Sequence, residues 1–368
     1  MPLLTDGDRL RPDPAQLARV DAWLSGLQAH CDAVAVAGFP QRDAHGQLCV
    51  PLRAWLPRLW LTSGEPLAVA VVLDKRSDVD ALLDEIRSLL GGLRPALACD
   101  ARVSGPAEPV GPPAPVAAAL DRLHRPGLDK LVVAAAWQWH APLRPQAVEA
   151  RLFAQQTGAW ICSFSAALLG RGAHQVVCAS PELLVRTQGE HVATLALAGT
   201  LAPDETVADH LVREHQLVVD YLDGALQDLG IDVEIGVRQL REAGPLFHLA
   251  TPLQGHRPPG LDALVAALHL HPTPALLGLP RAPAALALAE LEAEPRGWYG
   301  GFAGVVSAAG DGEGEFAVLL RGAEWLDPHW RSWAGAGLVA GSTAADELAE
   351  IGHKHQAIGH MFGLAGAL

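Results

Sequence analysis

The chain lacks a hydrophobic run of membrane length. No stretch of about twenty apolar residues is free of charges or turn formers, although half of the 368 residues are apolar. The N-terminus, Met-Pro-Leu-Leu-Thr-Asp-Gly-Asp, has no basic stretch ahead of an apolar one, so neither an anchor nor a secretory leader is expected, and the chain reads as soluble and cytoplasmic. Cysteine is scarce. Cys31, Cys49, Cys99, Cys162 and Cys178 are odd in number, far apart and never in a C-x-x-C pair, which excludes a disulfide framework and argues against zinc. Positive charge is also short: 27 Lys and Arg against 41 Asp and Glu leave a net charge of −14. A chain with that balance has no electrostatic footprint for nucleic acid or an anionic membrane. An anionic ligand would have to be met locally, by a few placed cations or a metal. Repeats and low-complexity tails are missing too.

The length allows two ordinary domains or one large domain built around an extended sheet. Asp13 and Pro14 open a helix whose stripe is Leu17, Val20, Trp23, Leu24 and Leu27. Residues 32–39, 51–62 and 67–73 read as strands, and 77–90 as an amphipathic helix ended by Gly91. Nothing in this first hundred carries chemistry. Residues 105–115 hold five prolines and two glycines and read as an irregular connector, a domain boundary or a long loop within one sheet protein.

Beyond it the chain becomes informative. Lys130 stands at the mouth of a strand, 131–137, too apolar to be half-exposed; by itself such a lysine is either a snorkelling surface residue or a functional one. A helix over 145–157 and apolar strands at 160–168, 174–178 and 191–197 follow. Their ends carry Ser180-Pro181-Glu182, a carboxylate among apolar neighbours, and Ala198-Gly199-Thr200, glycine backbone beside a hydroxyl. The helix expected over 206–229 has an inward stripe Val207, Leu211, Glu214, Val218, Tyr221, Leu222, Ala225, so Glu214 occupies a position where the period calls for a hydrophobe. A carboxylate there must bind a metal, pair with a base or hold a proton.

Residues 268–280, with prolines at 272, 274 and 280, read as a shaped loop; His269 and His271 have no third ligand nearby to make a metal site. Residues 296–306 and 315–323 read as a hairpin, with Arg321 emerging late in a mostly apolar strand, where a guanidinium suits a bidentate hold on a carboxylate. The stretch 333–354 is the centre of the chain. Gly335, Gly337 and Gly341 interrupt an apolar run, as in a strand whose backbone approaches a ligand. Ser342 or Thr343 then caps a helix with Asp346 and Glu347 in its first turn. Glu347, Glu350 and Lys354 lie on one side of it, either as a site for a metal and an anion or as a solvated face with a salt bridge.

Taken in order, Asp129-Lys130-Leu-Val-Val, Ser180-Pro-Glu-Leu-Leu184, Leu197-Ala-Gly-Thr200, Glu214-His-Gln-Leu-Val218, Leu270-His-Pro-Thr-Pro-Ala275, Arg296-Gly-Trp-Tyr-Gly300, Gly314-Glu-Phe-Ala-Val318, Ala334-Gly-Ala-Gly337 and Glu347-x-x-Glu350-x-x-x-Lys354 resemble the chorismate-binding enzymes. The resemblance runs from about residue 128 to the C-terminus. Within that family the His-Pro-Thr-Pro-Ala-Leu form resembles the isochorismate synthases, whereas the salicylate, anthranilate and aminodeoxychorismate enzymes fill the positions of Ala275 and Leu276 differently.

The resemblance implies an α+β fold of large antiparallel sheets packed together and flanked by helices. It implies a single domain over 1–368, with an N-terminal sheet and helix region over 1–104, the connector 105–115 and a motif-bearing catalytic region over 116–368. Lys130 would be the base that activates water, and Glu182 the acid that protonates the departing hydroxyl. Glu214, Glu350 and the neighbouring Glu347 would hold magnesium. Gly199, Thr200, His271, Ala275, Leu276, Tyr299, Arg321, Gly335 and Lys354 would bind chorismate. No glutamine amidotransferase partner is expected. Two features depart from the family pattern: the segment after Thr200 lacks the usual arginine-rich stretch, and Ala135 stands where an arginine is frequent.

Overall fold

The computed structural model describes residues 1–6, 9–25, 33–55, 59–62, 68–71, 108–110, 113–141, 143–155, 158–165, 175–201, 205–243, 246–307 and 311–364. The helix expected over 77–90 lies outside them. The strand Lys130–His140 is buried without a break from Lys130 to Ala134, which is why its sequence shows no alternation. It pairs antiparallel with His329–Val339 along its whole length, placing Lys130 opposite Val339 and Val132 opposite Gly337.

These two strands form the middle of a seven-stranded sheet. Its order is Trp160–Ser165, Gln175–Ser180, Gly322–Trp325, His329–Val339, Lys130–His140 and Gly278–Leu279, with Glu108–Val110 also pairing Lys130–His140. Within the proline-rich connector there is therefore a short strand as well as irregular chain. A nine-stranded sheet runs Val233–Ile235, Leu246–His256, His191–Leu201, Leu183–Gln188, Gly314–Val318, Phe302–Val306, Ala33–Ala37 and Leu52–Trp55, with Gln239–Ala243 beside Leu246–His256. Ala33–Ala37 pairs with Phe302–Val306, so the N-terminal region contributes to the same sheet as the motif-bearing region. With helices on these antiparallel sheets the fold is α+β.

Two short links carry the chain directly from one sheet to the other. Residues 181–182 join Gln175–Ser180 to Leu183–Gln188, and residues 319–321 join Gly314–Val318 to Gly322–Trp325. The single strand expected over 315–323 is thus interrupted, and Arg321 sits at the break with φ 51°, a left-handed conformation uncommon for a side chain-bearing residue. The steps run side by side: Val318 N–H donates to the Glu182 carbonyl at 3.0 Å and Ala179 N–H to the Arg321 carbonyl at 3.2 Å. Likewise residues 296–301 form a turn, and the strand expected from Arg296 begins at Phe302.

The helix Asp209–Asp228 packs on His191–Leu201, burying Leu211, Glu214, Val218, Leu222 and Ala225; Val207 precedes the helix and is exposed. The helix Ala344–Phe362 packs on His329–Val339. Thr343 caps it through a hydrogen bond from Asp346 N–H, while Ser342 Oγ accepts from Val339 N–H, so the two hydroxyls divide the turn between them. Among the described residues no helix is long and apolar enough to cross a membrane.

Candidate active site

The two steps between sheets border a cleft that encloses, with its mouth, about 650 Å³. Glu182, Gly199, Thr200, Glu214, Ala275, Leu276, Tyr299, Arg321, Gly335 and Lys354 all line it. Residues as far apart in the chain as Glu182 and Lys354 meet there. Gly199 enters through a bulge: the pairing of His191–Leu201 with Leu246–His256 shifts register between Ala198 and Thr200, and Gly199 takes φ +75°.

Glu214 reaches from its helix across the strand at Gly337. A Cβ on that glycine would lie 2.0 Å from Glu214 Oε1 and 3.1 Å from Lys130 Cε, so only glycine leaves both side chains room. Lys130, with no exposed surface, holds its Nζ 3.0 Å from Glu214 Oε1. The contact is an ion pair without hydrogen-bond alignment, since that Nζ makes no hydrogen bond. Lys130 therefore stands behind Glu214 rather than in the cleft wall.

Glu182 is buried and its carboxyl is pushed up to about 8, chiefly by burial, against the pull of Lys130 and Lys354. At neutral pH it carries a proton. Lys354 donates to the Gly335 carbonyl at 2.8 Å and pairs with Glu350 Oε1 at 2.6 Å. Burial works to lower the pKa of Lys354, but Glu350 and Tyr299 outweigh it and the net shift is upward. The cleft thus presents a proton donor and a fixed ammonium.

Arg321 donates from Nη2 to Nε2 of His248 at 2.7 Å. Burial, then Arg321 and Lys354, push His248 well below its usual value, so it is a neutral acceptor that aims the guanidinium. His248 also lines the cleft, with Leu197 and Trp333. Sequence reasoning passed over it, although a histidine inside the apolar run Leu246-Phe-His-Leu-Ala250 is the same kind of signal as Glu214 in its stripe.

His271 is not in the cleft wall. Its ring packs edge-on against Phe302 and its Nε2 donates to the Gly38 carbonyl at 3.2 Å, and burial, followed by Arg281, lowers it to about 3. Its role is to seat the loop whose next residues, Ala275 and Leu276, do face the cleft. Arg296 completes that seat. Its guanidinium donates to the carbonyls of Leu276 and Val132 and to both oxygens of Glu292, and Glu292 in turn accepts from Ala134 N–H.

Glu347 and Glu350 line an adjoining opening that shares Thr200 with the cleft. The carboxyl of Glu347 is raised to about 8, first by burial, then by Glu350, with Glu214 adding to it. This crowding of acids is what a divalent cation relieves. Among the described residues no three of His, Cys, Asp and Glu form a ready-made metal cage. Magnesium does not require one, because it takes one or two carboxylates and completes its octahedron with water and substrate oxygen. The donors here are hard oxygens, and Glu214 and Glu350 are each balanced by a lysine that a cation would replace in charge.

A buried acid, a lysine and a guanidinium thus meet in one cleft between antiparallel sheets. The family model described as chorismate binding enzyme matches residues 55–363, and the chain belongs to that family. Isochorismate synthase EntC of Escherichia coli is 36% identical over 199 residues, covering 50% of this chain and 50% of EntC. Anthranilate synthase component 1 of Streptomyces coelicolor is 38% identical over 205 residues, covering 52% of this chain and 40% of that protein. The chain spans about half the length of these relatives. Its fold matches the menaquinone-specific isochorismate synthase MenF of Escherichia coli, with a TM-score of 0.68 at 22% identity over 98% of this chain and 83% of that one. It also matches anthranilate synthase component I of Streptococcus pneumoniae, with a TM-score of 0.71 at 20% identity over 98% and 88%.

Proposed function

We propose that the protein is an isochorismate synthase, a magnesium-dependent enzyme that isomerises chorismate reversibly by moving a ring hydroxyl. The observation that carries this reading is the cleft in which buried Glu182, which holds a proton at neutral pH, meets the cations Arg321 and Lys354, with buried Lys130 just behind its wall at Glu214. Lys130, once it has given up its own proton and is the neutral amine, takes a proton from water as it attacks ring carbon 2. The double bond shifts, and Glu182 gives its proton to the 4-hydroxyl, which leaves as water. One water enters and one departs, so the product is an isomer.

Arg321, aimed by His248, and Lys354 hold the substrate carboxylates, with Tyr299 and the backbone at Gly199 and Gly335 closing around them. Glu214 and Glu350, with Glu347 close by, are the residues that would hold magnesium. When bound, magnesium supplies positive charge to the ring carboxylate of the substrate. Ala275 and Leu276 put apolar surface on the loop wall, which favours retention of the enolpyruvyl group and water as nucleophile. Neither a glutamine amidotransferase partner nor a membrane or nucleic acid enters this reading, which is of a cytoplasmic enzyme.

Incubation of the purified protein with chorismate and magnesium tests it. The expected result is one mixture of chorismate and isochorismate, reached from either compound. Stoichiometric pyruvate with salicylate, or an aminated product on adding ammonium, would overturn it in favour of the lyase or ammonia-using relatives. Binding of chorismate without any conversion would identify a non-catalytic binding protein.

A further inference from the structure

A second cavity, enclosing with its mouth about 1200 Å³, opens where the Asp209–Asp228 helix, the Arg9–Pro12 strand and residues 279–281 meet. It shares no lining residue with the cleft. Its most buried charge is Arg281, 8% exposed. The guanidinium donates from Nη1 to the Tyr221 hydroxyl at 2.5 Å and from Nη2 to the His271 carbonyl at 2.6 Å, while its Nε–H meets no acceptor. Among the described residues no carboxylate stands within ion-pair distance of it. A buried cation without a counter-ion is costly, and this one borders open volume.

Apolar wall comes from Leu10, Ala225, Leu279 and Pro280, with the Tyr221 ring beside them. Gly224 widens the space: it sits inside a helix, where glycine is unfavourable, yet a Cβ there would meet nothing within 4 Å. Asp129, Asp220 and Asp228 also line the cavity. Asp228 faces Arg11 at 3.4 Å and Asp220 accepts from Gln216. His269 is held below its usual value, mainly by burial, and adds no positive charge at neutral pH. Three aspartates disfavour a multiply charged phosphate but accept hydrogen bonds from hydroxyls, whereas one planar guanidinium suits one carboxylate.

We infer that this cavity is a second small-molecule site, taking a ring-shaped hydroxylated monocarboxylate with its carboxylate on Arg281 and its hydroxyl on the aspartates. Calorimetric titration with 4-hydroxybenzoate tests it, with 4-hydroxybenzyl alcohol as the probe that lacks the carboxylate. The acid should bind the wild-type chain at least tenfold more tightly than the alcohol. Arg321→Ala should keep that binding, since Arg321 belongs to the other cleft. Gly224→Trp, which fills open space, should weaken it at least tenfold while circular dichroism and chorismate turnover stay as in the wild type, and Arg281→Lys should weaken it several-fold. Loss of binding in Arg321→Ala but not in Gly224→Trp would assign the probe to the catalytic cleft and overturn the proposal. Absence of binding to the wild type, or equal binding of acid and alcohol, would overturn it as well.

Discussion

Lys130 Nζ and Glu214 Oε1 lie 3.0 Å apart, under a strand whose Gly337 leaves room for both. The carboxylate that interrupts the apolar stripe of its helix thus finds its counter-ion on a strand more than eighty positions earlier. A buried pair of this kind is weak evidence for stability, because two desolvated ions gain little over a hydrophobic pair, but breaking it is expensive. Gly337→Ala should therefore cost about 2 kcal/mol by crowding the pair, read as a lower urea midpoint at unchanged slope. Turnover should fall further than that loss of stability explains, and wild-type turnover in this variant would contradict the placement of Lys130 and Glu214 at the site.

Glu182→Gln should abolish conversion of chorismate while leaving the fold and substrate binding intact, since an amide fills the same volume and cannot deliver the proton. Lys130→Ala should also abolish conversion. Arg321→Ala should mainly raise KM, because a clamp positions the substrate. Loss of binding with retained single-turnover chemistry in Glu182→Gln would reverse the assignment.

The pH dependence follows from the same carboxyl. Glu182 binds its proton up to about 8 when folded, against 4.5 as its ordinary value. Between those values the unfolded chain has lost a proton that the folded chain keeps, so stability falls as pH rises through that window. The slope from this one group is roughly 1.4 kcal/mol per pH unit, and it levels off above about 8. Glu347 acts in the same direction over the same window. Glu182→Gln should flatten the slope in urea titrations without added metal, and wild-type kcat should decline above about pH 8 as the acid is lost. An unchanged slope would mean that Glu182 is ionised at neutral pH.

Metal addition gives an independent reading. Magnesium added without substrate at pH 7 should raise the melting temperature and release protons into a weakly buffered solution, because Glu347 must give up its proton beside a cation. Glu350→Gln and Glu214→Gln should reduce both signals. Equal stabilisation by magnesium in those variants would locate the ion elsewhere.

Arg296→Lys should destabilise by about 3 kcal/mol, since a lysine cannot reach two carbonyls and a bidentate carboxylate together. Chorismate KM should rise with it, because Leu276 loses the contact that sets its carbonyl. A stable variant with unchanged KM would remove Arg296 from the support of the loop.

Much of the site was legible in the sequence because its signals are local conflicts. Glu214 breaks a 3.6-residue period, Gly335 and Gly337 break an apolar strand, and Thr343 with Asp346 and Glu347 spells a helix start. Each follows from backbone geometry within a few turns of chain. What lay beyond local reading was partnership and interruption. That Glu214 faces Lys130, that Arg321 leans on His248, and that His271 turns away to Gly38 all depend on pairings between strands and helices far apart in the chain. The strand expected through 315–323 failed for the same reason: its apolar alternation is satisfied by two sheets in succession, and only their packing places the break at Arg321. Period and propensity determined which residues point inward, but the registers of two antiparallel sheets decided which of them meet.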